Sequence, residues 1–195
     1  MNSILERLTN HFVVNEVIRD EDREIYYYGL YQGFLIIVNI ITAIIIGGIF
    51  RMVWQSILFM LAYIPLRTYG GGYHAKTEGR CYLISIALAS GVLLAIKFIP
   101  MTDLNILGLT GMGGIIIFGL APVEDNNKPL NQGEKRIYKR RTMVVLVTEI
   151  LIIILTSALN FKEIASVISI SICALSFMLV LGRIKIRDQI INQSM

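Results

Sequence analysis

Residues 67–81 read RTYGGGYHAKTEGRC and separate two apolar runs, residues 52–66 and 82–99. The segment is polar and rich in glycine, whereas Ile, Leu and other apolar residues dominate both neighbours. His74 is followed seven residues later by Cys81, so a proton acceptor and a thiol share one short stretch. Because the flanking runs have the composition of membrane spans, this pattern indicates cysteine chemistry at the edge of a membrane.

Composition indicates the class of the protein. The chain has 195 residues, of which 55% are hydrophobic and 16% charged, and its mean hydropathy is +0.65. Soluble domains carry about a quarter charged residues, so the sequence predicts an integral membrane protein. The longest polar stretch, residues 122–142, is too short for a separate domain, and residues 1–195 are expected to form one membrane domain. The two cysteines, Cys81 and Cys173, do not make a disulfide framework, and Cys173 is expected to be an inert buried thiol.

The apolar runs predict an all-α polytopic fold with about six transmembrane helices. The expected spans are residues 30–50, 52–66, 82–99, 104–121, 143–159 and 164–182. A bilayer core of about 30 Å needs about 20 helical residues, so the second and fourth spans are short. Strands would leave open sheet edges in lipid, which favours helices. Residues 1–29 carry apolar side chains at helical spacing and predict an amphipathic interfacial helix.

Charge placement predicts the orientation of the bundle. With six spans, 15 of the 18 Lys and Arg residues fall on one side of the membrane. Short loops rich in Lys and Arg stay in the cytoplasm. Both termini, residues 67–81 and the basic loop 122–142 are therefore expected on the cytoplasmic side of the cell membrane.

The pair of His74 and Cys81 imposes a condition on the backbone. Cysteine attacks as a thiolate, and a histidine within hydrogen-bond reach can take its proton. Residues seven apart on one continuous helix lie about 10 Å apart along its axis, which is too far. The helix must therefore break between them, with Gly79 or residues 70–72 as candidate positions. Two ligands do not complete a zinc site, so no metal and no cofactor are expected. The alternative to a catalytic pair is that His74 and Cys81 have no functional role together.

The segment resembles the core motif of the accessory gene regulator B (AgrB) family, membrane peptidases of bacterial quorum sensing. The matching residues are Arg67, residues 70–72, His74 with Ala75, and Cys81 with Ser85. Residues 121–130, APVEDNNKPL, are similar to the second characteristic loop of the family. The resemblance extends over almost the whole chain.

The resemblance implies a function and its residues. Members of the family cut a short precursor peptide near its C-terminus, with the nucleophile at Cys81 and the base at His74. Arg67 and a glycine of the run, Gly71 or Gly72, are implied as supporting groups. The expected product of cleavage is a thioester on Cys81. A thiol or hydroxyl inside the same peptide then attacks that thioester and gives a cyclic thiolactone or lactone.

The partners follow from the same resemblance. The precursor has an amphipathic leader and an acidic tail, and residues 128–141 carry six positive charges against Glu134 alone. These residues would attract an acidic tail, with Lys128, Lys135 and Arg136 as candidate contacts. They could instead only obey the positive-inside rule and touch anionic lipid. The N-terminal helix could hold the leader or cap the bundle, and no nucleic acid is expected as a partner.

A third catalytic group stays open at this stage. Asp125, Asn126 or Asn127 could orient His74. Glu149 lies about six residues into the fifth span, where an acid is costly and normally paired or functional, and a structural ion pair with Arg67 or Lys76 is equally expected. The glycines at 108, 111 and 114 could serve internal packing or a homodimer contact. The competing function is a peptide exporter in which Cys81 is dispensable, and a third is a non-catalytic scaffold.

Overall fold

The computed structural model describes residues 2–73, 75, 77–100, 102–124 and 130–193. Its elements are seven α-helices and one 3-10 turn, Asp20–Asp22: α1 (Asn2–Val14), α2 (Arg23–Phe50), α3 (Val53–Gly70), α4 (Glu78–Phe98), α5 (Asp103–Leu120), α6 (Gln132–Ala158) and α7 (Lys162–Gln193). No strand occurs among the described residues, where the one extended pairing is an isolated bridge between Gly71 and Val123. The predicted all-α class is confirmed.

Each predicted span coincides with a helix, but five helices of the described chain are long and apolar enough to cross a membrane. They are α2 with the preceding 3-10 turn, α4, α5, α6 and α7. The second predicted span is α3, which has 18 residues and is polar at both ends, with Gln55 and Ser56 in its first turn and Arg67 and Thr68 near its last. It also continues through Pro65 to Gly70, so that Arg67 lies on the helix and not after it.

Two later helices, α6 and α7, extend beyond the predicted spans. α6 begins at Gln132, eleven residues before the predicted span, because Asn131 and Glu134 form a reciprocal capping box. Of the basic residues in the expected loop 122–142, five therefore lie on the first turns of α6, namely Lys135, Arg136, Lys139, Arg140 and Arg141. α7 runs to Gln193, well beyond the predicted end at residue 182.

The chain forms two compact units, residues 1–42 and 43–195. The first unit contains α1, the 3-10 turn and the N-terminal part of α2. The predicted N-terminal helix is confirmed as α1, and it presents Ile4 and Leu8 as exposed apolar side chains. Within α2 the rings of Tyr27 and Tyr31 stack with centroids 6.4 Å apart.

The second unit is built around α7. Two thirds of the apolar stretch of α7 is buried, 67% against 17–28% for the other four spanning helices. α7 packs against α3, α4, α5 and α6, and the whole run from Ala165 to Ile172 is buried. Serines are tolerated there because their hydroxyls donate to the helix itself, as Ser169 does to the Ala165 carbonyl at 2.8 Å and Ser171 to the Val167 carbonyl at 2.8 Å.

One glycine lets α5 approach α7 closely. A Cβ atom on Gly113 would lie 2.8 Å from Cγ2 of Ile172 and 3.2 Å from the Cys173 nitrogen. The Thr110 and Ser169 hydroxyls are hydrogen-bonded at 2.9 Å on the same interface. Of the two roles offered for the glycines at 108, 111 and 114, internal packing is wrong because all three face open space, and a homodimer contact stays a prediction.

Replacing Gly113 by Ala should lower the unfolding temperature. Overpacking a tight contact costs about 1–3 kcal/mol, and the roughly 0.5–1 kcal/mol that Ala gains over Gly inside a helix offsets only part of it. Gly111→Ala, on the same helix, is the matched control and should unfold at or slightly above the wild-type temperature. Thermal unfolding in detergent, followed by the fluorescence of Trp54, makes the comparison. Equal stability of the two variants would contradict close packing of α5 on α7.

Candidate active site

The glycine run ends α3 in an ordered turn. Gly71 has φ of +72° and Gly72 has φ of +127°, values that side chains with a Cβ rarely adopt. A Cβ on Gly71 would collide with the Val123 carbonyl oxygen, and one on Gly72 would collide with the Arg67 guanidinium. Both positions therefore require glycine for steric reasons.

Three parts of the chain meet at this turn. The Val123 N–H donates to the Gly70 carbonyl at 3.0 Å, and the Tyr73 N–H donates to the Met178 carbonyl of α7 at 2.9 Å. The glycine run and the start of the second characteristic loop, which the sequence places 50 residues apart, are thus in direct contact. The segment before His74 is fixed against the central helix.

Gly182 is a site residue that the sequence interpretation missed. Its ideal Cβ would lie 2.8 Å from the Gly72 carbonyl carbon and 2.9 Å from the Tyr73 nitrogen, both backbone atoms. The turn can cross α7 only where α7 has no side chain. The available signal was an isolated glycine inside a helical pattern, which often marks a close backbone approach.

Arg67 also stabilises this turn. Its guanidinium donates to the carbonyl oxygens of Gly71 and Tyr73. Carbonyls after the end of a helix have no partner of their own, and hydrogen bonds from a charged donor are stronger than neutral ones. The structure gives Arg67 the role of shaping the backbone that enters residue 74.

Cys81 lies in the first turn of α4 and is half-buried. The Thr77 hydroxyl caps this helix by accepting from the Arg80 N–H at 3.4 Å, and the Cys81 N–H donates to the Thr77 carbonyl at 3.0 Å. The required break lies between Gly70 and Glu78, not at Gly79, which is already helical. His74 and Lys76 lie outside the described residues.

Tyr63 joins Arg67 and Cys81 as an unforeseen neighbour. Its hydroxyl lies close enough to both residues to interact with them electrostatically. Tyr63 is one turn before Arg67 on α3, and its ring stacks on Phe59 with centroids 5.1 Å apart. This i, i+4 spacing was the only sequence signal for it.

Two of the supporting candidates, Ser85 and Glu149, lie inside helices. Ser85 lies one turn after Cys81, and its hydroxyl donates to the Cys81 carbonyl at 3.1 Å. Glu149 is 5% exposed within α6, between the buried Leu146 and Ile153. No ion pair joins Glu149 to Arg67 in the part of the chain that is described, and its Oε2 has no hydrogen-bond partner there.

Glu149 lies below the turn and not beside it. The methyl group of Thr142 is 3.6 Å from the ideal Cβ of Gly70, so Thr142 marks the level at which α3 ends. Seven residues along α6 place Glu149 about 10 Å deeper. Of the other candidates for a third group, Asp125 and Asn126 lie outside the described residues.

An ion pair joins the start of the second characteristic loop to α6. Lys135 Nζ lies 2.6 Å from Glu124 Oε1, and Glu124 Oε2 accepts from the Leu130 N–H at 3.0 Å. The hydrogen bond from Lys135 lowers the pKa of the Glu124 carboxyl, with help from the Leu130 amide, whereas partial burial opposes the shift. Lys135, predicted as a contact for an acidic tail, is therefore already paired, and Lys128 lies outside the described residues.

Other basic side chains surround the turn. Arg141 lies over the Tyr69 ring, 5.4 Å from its centroid, and Lys185 lies 5.6 Å from the centroid of Tyr73. Arg136 and Arg140 are exposed on the first turns of α6. Among the described His, Cys, Asp and Glu residues, no group of three could hold a metal ion.

Residues 5–179 match the family model described as accessory gene regulator B. The chain is 30% identical over 176 residues to "Putative AgrB-like protein" of Clostridium perfringens strain SM101, which covers 84% of this chain and 82% of that protein. It is 26% identical over 168 residues to "Putative AgrB-like protein 2" of Clostridium perfringens strain 13, with 82% and 78% covered. A protein of Listeria monocytogenes serotype 4b, also "Putative AgrB-like protein", is 26% identical over 143 residues, with 71% and 70% covered. No solved structure matches. The chain belongs to the accessory gene regulator B family and is a multi-pass membrane protein.

Arg67→Lys should loosen the turn although the charge is kept. An ammonium is a single point and cannot reproduce the fork that serves two carbonyls. Backbone amide exchange at residues 71–73, followed by mass spectrometry in nanodiscs, should accelerate about tenfold or more, which corresponds to roughly 1.4 kcal/mol. Arg136→Lys, at an exposed position, is the control and should leave exchange unchanged. Wild-type protection in Arg67→Lys would rule out the positioning role.

The Glu124–Lys135 pair predicts an acid-sensitive contribution to stability. The folded-state pKa of Glu124 lies below that of the unfolded chain, so the contribution is present at neutral pH and lost as pH falls through the folded-state pKa. Lys135→Met should cost about 0.2–1 kcal/mol at pH 7, because the pair is partly exposed. Its difference from wild type should shrink as pH is lowered from 7 to 3, whereas Arg136→Met should show no pH-dependent difference. Unfolding temperatures of the wild type and both variants at the two pH values test this prediction. A difference between Lys135→Met and wild type that does not change with pH would contradict it.

Proposed function

We propose that this member of the family is a membrane cysteine endopeptidase that removes the C-terminal tail of a small propeptide and promotes its cyclisation to a quorum-sensing peptide. The observation that supports the proposal best is the position of Cys81. Its thiol lies half-buried at the start of α4, Tyr63 interacts electrostatically with both Cys81 and Arg67, and Arg67 holds the backbone that leads to His74. A nucleophile and a base on two different elements can meet, which a single helix would have prevented.

The first acyl transfer uses His74 as the base and Cys81 as the nucleophile. The Cys81 sulfur attacks the scissile carbonyl, the C–N bond breaks, and the released amine takes the proton that His74 removed from the thiol. The Arg80 and Cys81 N–H groups already donate to Thr77, so among the first amides of α4 the Gly79 N–H is the candidate donor to the oxyanion. Gly71 and Gly72 support the geometry by letting the backbone turn before His74. Asp125 and Asn126 stay predictions as groups that orient His74.

The second acyl transfer releases the product. An internal thiol or hydroxyl of the bound peptide attacks the Cys81 thioester, and the Cys81 thiol is regenerated. Exchange of one thioester for another is close to isoenergetic and needs no nucleotide. Water competes for the same intermediate, so a site at the lipid boundary favours cyclisation by holding the internal nucleophile close and excluding water.

The propeptide tail would bind on the basic start of α6. Arg136 and Arg140 are exposed there, and Arg183 and Arg187 are exposed on the end of α7. An acidic tail is attracted to such a surface, most strongly at low ionic strength. The excess of basic residues also supports a cytoplasmic position of the site. The amphipathic α1 is the candidate contact for the leader, as an interfacial helix parallel to the membrane.

The proposed pairing of His74 with Cys81 makes a direct prediction for catalysis. In lipid nanodiscs the wild-type protein should release the tail from a synthetic propeptide with an amphipathic leader, an internal cysteine and an acidic tail. Cys81→Ala and His74→Ala should lose this cleavage by at least about a hundredfold, the usual scale for removing an acid–base group. Cys173→Ala removes the other thiol and should retain the wild-type kcat, with any change confined to KM because Cys173 lines an apolar groove beside α4.

Mass spectrometry separates the outcomes. A product lighter by one water than the linear cleaved peptide establishes cyclisation, whereas the linear peptide alone would limit the function to hydrolysis. Cleavage by Cys81→Ala at the wild-type rate would refute the peptidase and leave transport of an uncut peptide as the leading function.

A further inference from the structure

An apolar groove of about 750 Å³ runs along the interface of α4 and α7. Its walls are carbon-rich side chains of these two helices, with Leu109 added by α5. The volume lies within the range of about 300–1,000 Å³ that is typical of ligand sites. Neither the proposed chemistry of His74 and Cys81 nor the basic surface of α6 involves this groove.

The groove exists because α4 has small residues on one face. Ala87, Gly91 and Ala95 recur at intervals of four and line it opposite Ile170 and Phe177 of α7. A Cβ on Gly91 would meet no atom within 4 Å, so the space beside the α4 backbone is open. The two helices contact at buried Val92 and Leu93 on the adjoining face, in a cluster that includes Ala174 of α7.

One end of the groove lies at the candidate active site. Tyr73, the residue before His74, lines the groove, and so does Met178, whose carbonyl holds the Tyr73 N–H. Ile84 lines it from α4 and lies three residues after Cys81, on the same helix face. The element that leads into His74 and the helix that carries Cys81 therefore both border this end.

The groove extends far into the bilayer from that end. Its lining continues along α4 from Ile84 to Ile99. Fifteen residues of helix correspond to about 22 Å, most of the roughly 30 Å hydrocarbon core. A peptide attached at Cys81 could therefore place several consecutive side chains in the groove.

We propose that this groove binds the apolar residues of the peptide substrate that adjoin the bond attacked by Cys81, and that it selects substrates in which those residues are apolar. The inference rests on the proposed function. Apolar lining alone would not favour peptide over lipid, because lipid chains are equally apolar. The favoured occupant is the peptide because the groove begins beside Tyr73 and Ile84, one helical turn from the proposed nucleophile, where an acyl group carried by Cys81 would place its neighbouring residues. Polar side chains there would lose their hydrogen bonds to water without replacement.

Filling the groove should weaken substrate binding. Gly91→Leu adds a side chain to open space and should raise KM for the cleaved propeptide about tenfold, the scale of one lost apolar contact of roughly 1.4 kcal/mol, with a smaller effect on kcat. Gly111→Leu makes the same change at an exposed glycine of α5 that also has no atom within 4 Å, and should stay within about twofold of wild type. Equal KM values for the two variants would overturn the proposal.

A binding measurement tests the groove without catalysis. The Cys81→Ala protein in nanodiscs is irradiated with a propeptide that carries photoreactive leucine in place of one apolar residue beside the cleaved bond. Adducts should map to groove residues of α4 and α7 and should be lost in the Cys81→Ala, Gly91→Leu double variant. Adducts only with lipid or with other helices would overturn the proposal, as would equal labelling by an analogue whose remaining apolar residues there are replaced by serine.

The two proposals fail separately in these experiments. If the wild-type protein does not cleave the synthetic propeptide but the same peptide is cross-linked in the groove, binding stands and the peptidase fails. If cleavage requires Cys81 but no peptide adduct forms in the groove, the peptidase stands and the groove assignment fails.

Discussion

Backbone that leaves a helix at membrane depth must find hydrogen-bond partners inside the protein, because lipid offers none. The end of α3 meets this constraint with three separate contacts. The Gly70 carbonyl accepts from Val123, the carbonyls of Gly71 and Tyr73 accept from Arg67, and the Tyr73 N–H donates to Met178. Each contact depends on a close approach that a side chain would block, which is why Gly71, Gly72 and Gly182 lie where they do. The positions of α4, the second loop and the candidate site all follow from this turn.

The central helix makes that approach possible. α7 is buried along most of its apolar length and uses alanine and serine where other helices come near. In lipid, helices associate through packing and interhelical hydrogen bonds and gain little from apolar transfer. Small residues are therefore concentrated on α7 and at Gly113 of α5, which touches it. The same helix supplies both the carbonyl that fixes Tyr73 and one wall of the groove, so the catalytic segment and the groove share a rigid support.

Much of the architecture could be predicted from the sequence because it depends on local composition. Long apolar runs predict helices in lipid, and all six predicted spans are helical. The start of α6 was wrong because charge was taken as a sign of a loop, although the capping box of Asn131 and Glu134 was readable. The polar ends of α3 were equally visible, yet the requirement for spans of about 20 residues obscured them. Internal packing by the glycines at 108, 111 and 114 was wrong because spacing alone does not say which face of a helix has a neighbour within the chain.

The candidate site likewise contains residues that a local motif predicts and residues that only the fold brings together. Arg67, the glycine run and Cys81 came from a motif. The structure brings Arg67 and the run together, and Tyr63 interacts electrostatically with both Arg67 and Cys81. Tyr63, Glu124 and Gly182 were missed because their roles arise only when distant segments meet. No local pattern states that position 182 lies beneath position 72. Lys135 shows the converse, since a basic residue that seemed free to bind substrate already neutralises Glu124.

The amphipathic surroundings of Cys81 bear on why cyclisation could compete with hydrolysis. Exposed arginines lie at the start of α6 and at the end of α7, and an apolar groove begins at Ile84, one helical turn after Cys81. On the proposed mechanism, the acidic tail leaves toward the charged side after the first transfer, while apolar residues keep the acyl group out of water. The internal nucleophile then needs only a short intramolecular approach, which effective molarity favours strongly over attack by water. Departure of a polar tail and retention of an apolar remainder would thus give the two-step reaction its direction without any energy-rich cosubstrate.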